Sequence, residues 1–302
     1  MNKILIAGGT GFVGKALISF LIKKGYEIHV LTRRQLVPTK GVTYFNWDIA
    51  KQEIDLNAFA NVDTIINMTG ANIGEKRWSN NRKKAIINSR IQALELLYQT
   101  ISENDFKIKR LISSSAVGYY GAVTNQHIYT EEDKQGNDFL AEVCDRWESA
   151  AIAFKNLGTQ VVILRKGVIM GNGGMYEKLS GIAKYGINPA LGNGKQYIAW
   201  IAMDDLLALY GCILEKESIQ GVFNAVASHD MTMNDLSKAI MKALGKRKIT
   251  PNAPGFIIKL MFGELSSMML KGSRASNQKV KALGCNMKDE SINQVIQQLV
   301  VE

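Results

Sequence analysis

A chain of 302 residues with 46% apolar and 21% charged side chains can bury a large core, which excludes a disordered chain. No apolar run approaches the roughly 20 residues that span a bilayer, and the three cysteines, Cys144, Cys212 and Cys285, match no metal-ligand spacing. That pattern argues against a membrane site, disulfides and any metal, and for a reducing, cytoplasmic compartment. The net charge of +10 is scattered over Lys76-Arg77, Arg82 to Lys84, Lys107 to Arg110 and Lys246 to Lys248. No nucleic-acid module accompanies it, so nucleic acid is not an expected partner.

In chain order, Ile4-Leu5-Ile6-Ala7 is cut short by Gly8 and Gly9, so residues 3–7 form a buried first strand rather than a leader. A helix over 12–24 buries Phe12, Ala16, Leu17, Phe20 and Leu21, Gly25 stops it, and a strand follows over 26–32. Further strands are predicted over 43–47, 64–68, 110–114 and 160–164. A helix over 80–101 carries Ile87, Ile91, Leu94, Tyr98 and Ile101 on one stripe, and another over 139–157 carries Val143, Trp147, Ala150, Ala151 and Phe154. This alternation predicts an α/β fold with a Rossmann-type, doubly wound parallel sheet. Its ligand crevice belongs at the carboxyl ends of the strands.

After Arg165 the rhythm changes. Glycine loops occupy 171–174 and 192–194, then come a helix over 205–216, a strand over 222–225 and a helix over 233–244. The tail from 250 reads as a helix, a loop and a final helix near 291–299. Residues 1–165 are the expected nucleotide-binding domain, its sheet completed by 200–226. Residues 166–199 and 227–302 are the expected smaller C-terminal substrate lobe.

The strongest local signal is Gly8-Gly9-Thr10-Gly11-Phe12-Val13-Gly14, directly after a strand and opening a helix. Gly8 permits a tight turn, Gly11 lets a diphosphate approach the backbone, and Gly14 allows close helix–strand contact. Exposed N–H groups at the helix start then hold the phosphates. The second strand ends in Thr32-Arg33-Arg34, where an acid would mark NAD. Two guanidinium groups there favour a 2′-phosphate, hence NADP(H).

The chain resembles the extended short-chain dehydrogenase/reductases of the epimerase/dehydratase type, and especially their atypical "epimerase family protein" branch with a C-terminal extension. The marks are the glycine turn, Leu31-Thr32-Arg33-Arg34, Thr69-Gly70-Ala71, Asn88-Ser89-Arg90-Ile91, the SSSAVGYYG run from Ser113, Trp147-Glu148, Arg165-x-Gly167-Val168 and Asp204-Asp205. The resemblance implies cofactor contacts from Gly8, Thr10, Gly11, Phe12, Val13, Arg33 and Arg34, and from Thr69, Gly70 and Ala71 beside the nicotinamide-side ribose. It puts Asp48 near the adenine, although a turn cap is an equal reading of that residue.

The wider family exchanges protons through a Ser, a Tyr and a Lys four residues beyond the Tyr. Ser115 matches the serine, but Leu140 and Cys144 stand at the other two positions. An unassisted tyrosine titrates near pH 10, so moving it to neutrality takes ~4 kcal/mol of local electrostatics. Nothing at 144 supplies that. Tyr119 and Tyr120 are the remaining candidate proton donors, with packing beside Gly118 and Gly121 as the alternative. Cys144 reads as a core cysteine and Glu148 as a hydrogen-bond partner. Asp204 and Asp205 read as helix caps, and His29, His127 and His229 as packing or surface residues. Trp78 and Trp200 are either crevice lining or core.

The expected function is an NADP(H)-dependent oxidoreductase acting on a small molecule between the two lobes, without the usual Tyr–Lys pair. The alternative is a non-catalytic NADP(H)-binding redox sensor or scaffold.

Overall fold

β1 (Lys3–Ala7) sends Ile4 and Ile6 to one face of the central sheet and Leu5 and Ala7 to the other, each pair joining a separate apolar cluster. Two-faced burial of this kind is what a parallel sheet between helix layers requires. The computed structural model describes residues 3–247 and 250–301; Lys248, in the 246–248 basic cluster, lies outside the described residues.

After β1 come α1 (Phe12–Lys23), β2 (Glu27–Thr32), β3 (Val42–Asp48), β4 (Glu53–Ile54) and β5 (Val62–Asn67). Then follow α2 (Asn80–Glu103), β6 (Arg110–Ala116), β7 (Ile128–Tyr129), α3 (Phe139–Ile152) and β8 (Gln160–Lys166). The next elements are β9 (Val168–Met170), α4 (Gly174–Ala183), β10 (Trp200–Ala202), α5 (Met203–Glu215) and β11 (Gly221–Ala225). The chain closes with α6 (Met233–Ala243), α7 (Gly255–Phe262), α8 (Ser266–Leu270), β12 (Arg274–Ala275), α9 (Gln278–Ala282) and α10 (Ile292–Val301).

The main sheet has eight strands in the order β11-β8-β6-β5-β1-β2-β3-β4, all parallel except the β3–β4 pair. It is the Rossmann-type α/β fold read from the alternation. Leu17 and Leu21 of α1 and Leu206, Leu209 and Ile213 of α5 cover one face; Ala93 and Leu97 of α2 and Trp147 and Ala151 of α3 cover the other. A separate apolar cluster joins Tyr176 and Leu179 of α4, Leu236 and Ile240 of α6, and Val295 and Ile296 of α10. No helix of the described residues is long and apolar enough to cross a membrane.

Three expectations are corrected. The helix predicted over 139–157 ends at Ile152 and tightens into a 3-10 turn, Ala153–Leu157, before Gly158 at φ +76°. Ala202, not an aspartate, occupies the N-cap of α5. Asp205 instead accepts from the backbone of Lys288 at 2.6 Å and of Asp289 at 3.1 Å, tying the tail to the sheet domain, and Asp204 meets the Lys288 ammonium.

The third correction concerns cysteine pairing. Cys212 on α5 and Cys285 form a disulfide across 73 residues, with their Cα atoms 5.6 Å apart. Packing Val280 of α9 into the same core cluster as Cys212 brings the tail back over α5, a proximity that sequence spacing does not display. Cysteine usage therefore no longer argues for a reducing compartment. Cys144 is free and buried.

Candidate cofactor and substrate site

β1 and β5 are neighbours although three strands separate them in sequence, so the winding direction reverses at their carboxyl ends. There the chain turns at Gly8, whose φ is +86° and whose added Cβ would fall 2.8 Å from the Met68 carbonyl. Gly11 N donates back to Gly8 O at 3.2 Å. An added Cβ at Gly14 would lie 2.5 Å from Gly8 O and 2.6 Å from the Gly9 backbone. The third glycine thus lets α1 close onto the turn itself.

Gly11 caps α1 without a side-chain bond, and no acid occupies the helix's first turn. The free N–H groups and positive end of α1 therefore face outward, a ready site for an anion. Thr10, Gly11, Phe12 and Lys15 line a cleft of about 560 Å³ that also carries Glu177, Asp204, Asp205 and Glu290 and does not reach Gly8, Arg33, Arg34, Asp48 or Thr69. Phe12, expected in the core, is half-buried; its ring lies against the 171–174 loop, where a Cβ on Gly173 would come within 2.6 Å. Val13 packs at the edge of the α1–α5 cluster.

Arg33 and Arg34 follow β2 and are both exposed, and neither makes an ion pair among the described residues. Asp48 ends β3, with Oδ1 accepting from Ala50 N at 3.0 Å and Lys51 N at 3.4 Å, so it does cap the following turn. Gly70 is exposed beyond β5, while Ala71 N donates to Ser89 Oγ at 2.9 Å and Ala71 O accepts from Arg90 at 3.2 Å. Next to them Asn67 Nδ2 and Thr69 Oγ1 are buried without partners. Leaving such groups unpaired costs about 1–3 kcal/mol each, which a bound polar ligand removes. These orphaned groups and the cradle that a Cβ would fill both fit a dinucleotide.

Ser115 and Tyr120 lie elsewhere, each 1% exposed. Ser115 Oγ donates to Glu148 Oε1 at 2.6 Å, and Arg165 grips the same carboxylate through two 2.9 Å bonds. Arg165 also reaches Tyr120 Oη at 3.0 Å, and Tyr120 donates to Asn224 Oδ1 at 2.7 Å. Burial pushes the Tyr120 phenol up to about 12 against the pull of Arg165. Tyr119 is half-buried, with the Arg165 guanidinium 3.4 Å above its ring centre. These residues form one buried network behind the end of β6.

The open space beside them is a chamber of about 260 Å³ between the sheet ends and the segments 166–199 and 233–273. Ala116 faces it from the end of β6, Val117 and Gly118 from just beyond, Leu140, Val143, Cys144 and Trp147 from α3, and Met175, Met233 and Met268 from α4, α6 and α8. Burial, then Glu148, pushes the Cys144 thiol up to about 12, so it stays protonated. Trp78 and Trp200 are core residues whose indole N–H groups bond Ile73 O and His229 O, both at 2.9 Å. His29 bonds Ala58 O within the core; His127 and His229 are tied to Asp133 and the Asp289 carbonyl.

Three charged residues line the chamber, Lys166, Arg90 and Lys271, and sequence reasoning named none of them as a site residue. Lys166 ends β8 and donates from Nζ to Ser114 Oγ at 2.6 Å; Arg90, on α2, is bound to the carbonyls of Ala71 and Ile86. Burial, and then the Arg90 charge, pulls the Lys166 ammonium down to about 8, and burial also lowers Arg90. The available signal was a second basic residue after Arg165 at the carboxyl end of an otherwise apolar strand.

Fold and cradle together define a nucleotide-binding α/β protein of Rossmann type. Residues 4–225 match the family model of the NAD dependent epimerase/dehydratase family, and 253–299 match a domain of unknown function, DUF1731. An epimerase family protein of Staphylococcus aureus is 33% identical over 305 aligned positions, covering 100% of both chains. The crystal structure of the human epimerase family protein SDR39U1 with NADPH superposes with a TM-score of 0.85 at 24% identity, over 99% of each chain. The UDP-glucuronic acid 4-epimerase of Bacillus cereus, solved with UDP-glucuronic acid and NAD, gives a TM-score of 0.81 at 17% identity, over 99% of this chain and 98% of that one. The chain belongs to the NAD dependent epimerase/dehydratase family.

Proposed function

We propose that the protein binds NADP(H) along the glycine turn and works as an oxidoreductase on a small molecule held in the chamber. The observation that carries this reading is the uncapped start of α1 at the strand-order reversal, beside the orphaned Asn67 and Thr69 groups. The amides after Gly8, Thr10 and Gly11, with Phe12 and Val13, would hold the diphosphate. Arg33 and Arg34 would take the 2′-phosphate, Asp48 would lie beside the adenine, and Thr69, Gly70 and Ala71 would border the second ribose. The NADPH found in the human relative supports this choice of cofactor.

When bound, the nicotinamide supplies hydride transfer, which the protein itself cannot perform. The Ser115–Glu148–Arg165–Tyr120 network braces the end of β6 behind the chamber. Apolar groups on α3 and the lobe line the chamber, and Lys166, whose ammonium burial pulls down to about 8, is placed to give up or take a proton at Nζ. The non-catalytic reading draws on the same facts: Leu140 and the protonated Cys144 occupy the Tyr and Lys positions. NADPH oxidation in the presence of carbonyl compounds separates the two, since binding without turnover favours the sensor.

Cofactor choice is tested by fluorescence titration with NADPH and NADH. NADPH is expected to bind at least tenfold tighter, and Arg33→Ala with Arg34→Ala to abolish that preference. Equal affinities for the two coenzymes in the unaltered protein would overturn it.

A further inference from the structure

Three cations line the chamber, the exposed Lys271 and the half-buried Lys166 and Arg90. Lys166 has a neutral hydroxyl as its partner, and Arg90 has carbonyl partners with its Nε unpaired. Among the described residues neither makes an ion pair, and no Asp or Glu lines the chamber. The remaining wall is dominated by apolar side chains such as Trp147, Val143, Met175, Met233 and Met268. Its hydroxyls are engaged: Ser273 Oγ donates to Gly121 O at 2.6 Å, and Tyr197 Oη donates to Gln126 at 3.1 Å.

We propose that this chamber takes a compact apolar molecule bearing one carboxylate, seated between Lys166 and Arg90. The inference rests on the reading of the chamber as the substrate site. Holding Lys166 half-buried beside Arg90 is costly until an anion joins them, and burial, then the Arg90 charge, loosens the hold of Lys166 on its proton. A sugar nucleotide fits poorly, because its many hydroxyls would meet a largely apolar wall that offers two unpartnered neutral side-chain atoms, Gln196 Oε1 and Trp147 Nε1.

Isothermal titration of the full chain at pH 7, with and without saturating NADPH, tests this with 3-phenylpropionate, its neutral amide and UDP-glucose. The acid is expected to bind at least tenfold tighter than the amide or UDP-glucose. Lys166→Met should remove that preference without changing NADPH affinity, and Lys166→Arg should restore it. Acid binding in a protein that fails to bind NADPH would sink the cofactor reading and leave this one standing. Equal affinity for acid and amide, tighter binding of UDP-glucose, no binding of the acid, or displacement of NADPH by the acid would each overturn it; the last would assign the cations to the coenzyme.

Discussion

Ser115 Oγ and Glu148 Oε1 meet at 2.6 Å across 33 residues of chain, joining the end of β6 to α3 where the family resemblance led us to expect a reacting hydroxyl. Because Arg165 shares that carboxylate and is itself buried, the bond is part of an ion-pair network. Glu148→Ala is expected to cost about 3–5 kcal/mol, since it strands the Arg165 charge. Ser115→Ala should cost about 1.5–3 kcal/mol. Urea unfolding measures both. Unchanged stability in Ser115→Ala, with turnover lost, would return the hydroxyl to the chemistry.

Gly14 has no room for a methyl group against Gly8 and Gly9, whereas an added Cβ on Gly25 meets nothing within 4 Å. Gly14→Ala should therefore open the turn and weaken NADPH binding at least tenfold. Gly25→Ala should leave that affinity intact while costing about 1 kcal/mol for its positive φ. Comparable NADPH affinities in the two variants would contradict the cradle.

Lys166 shares the chamber with Arg90 of α2, Cys144 of α3 and Lys271 and Tyr197 of the lobe, with no carboxylate among the lining residues described. Its ammonium ordinarily titrates near 10.5 and does so here near 8. Between those values the unfolded chain binds more protons than the folded one, so this residue makes stability rise with pH over that window. Unfolding free energies from pH 7 to 11 should therefore show Lys166→Met the more stable at pH 7 and the difference closing as pH rises. Identical pH profiles would contradict the assignment.

Cys212 and Cys285 close a 73-residue separation. Thiol titration of the oxidised, denatured chain should find one reactive group, Cys144. Cys285→Ser should lose about 4 kcal/mol of stability under oxidising conditions. Three free thiols in the protein purified without reductant would show the pair to be unbonded.

Local features were legible in the sequence because their causes are local. The unbroken apolar run Ile4 to Ala7 announces a strand buried on both faces, and the spacing of Gly8, Gly11 and Gly14 announces a turn onto a helix start. Cys212–Cys285, the grip of Asp205 on residues 288 and 289, and the sharing of one chamber by Lys166 and Arg90 depend on how distant segments pack, which no spacing encodes. Phe12 shows the intermediate case: its helical period pointed to the core, but the glycine loop at 171–174 covers its ring instead. Ser115 sits where the resemblance put it along the chain, yet the direction of its hydroxyl was set by Glu148, one helix away.

A crystal structure of the chain grown with NADPH tests the central claim most directly. The account predicts diphosphate oxygens against the main-chain amides that open α1, with the 2′-phosphate at Arg33 and Arg34. Coenzyme bound elsewhere, or a turn left bare at saturating NADPH, would contradict it.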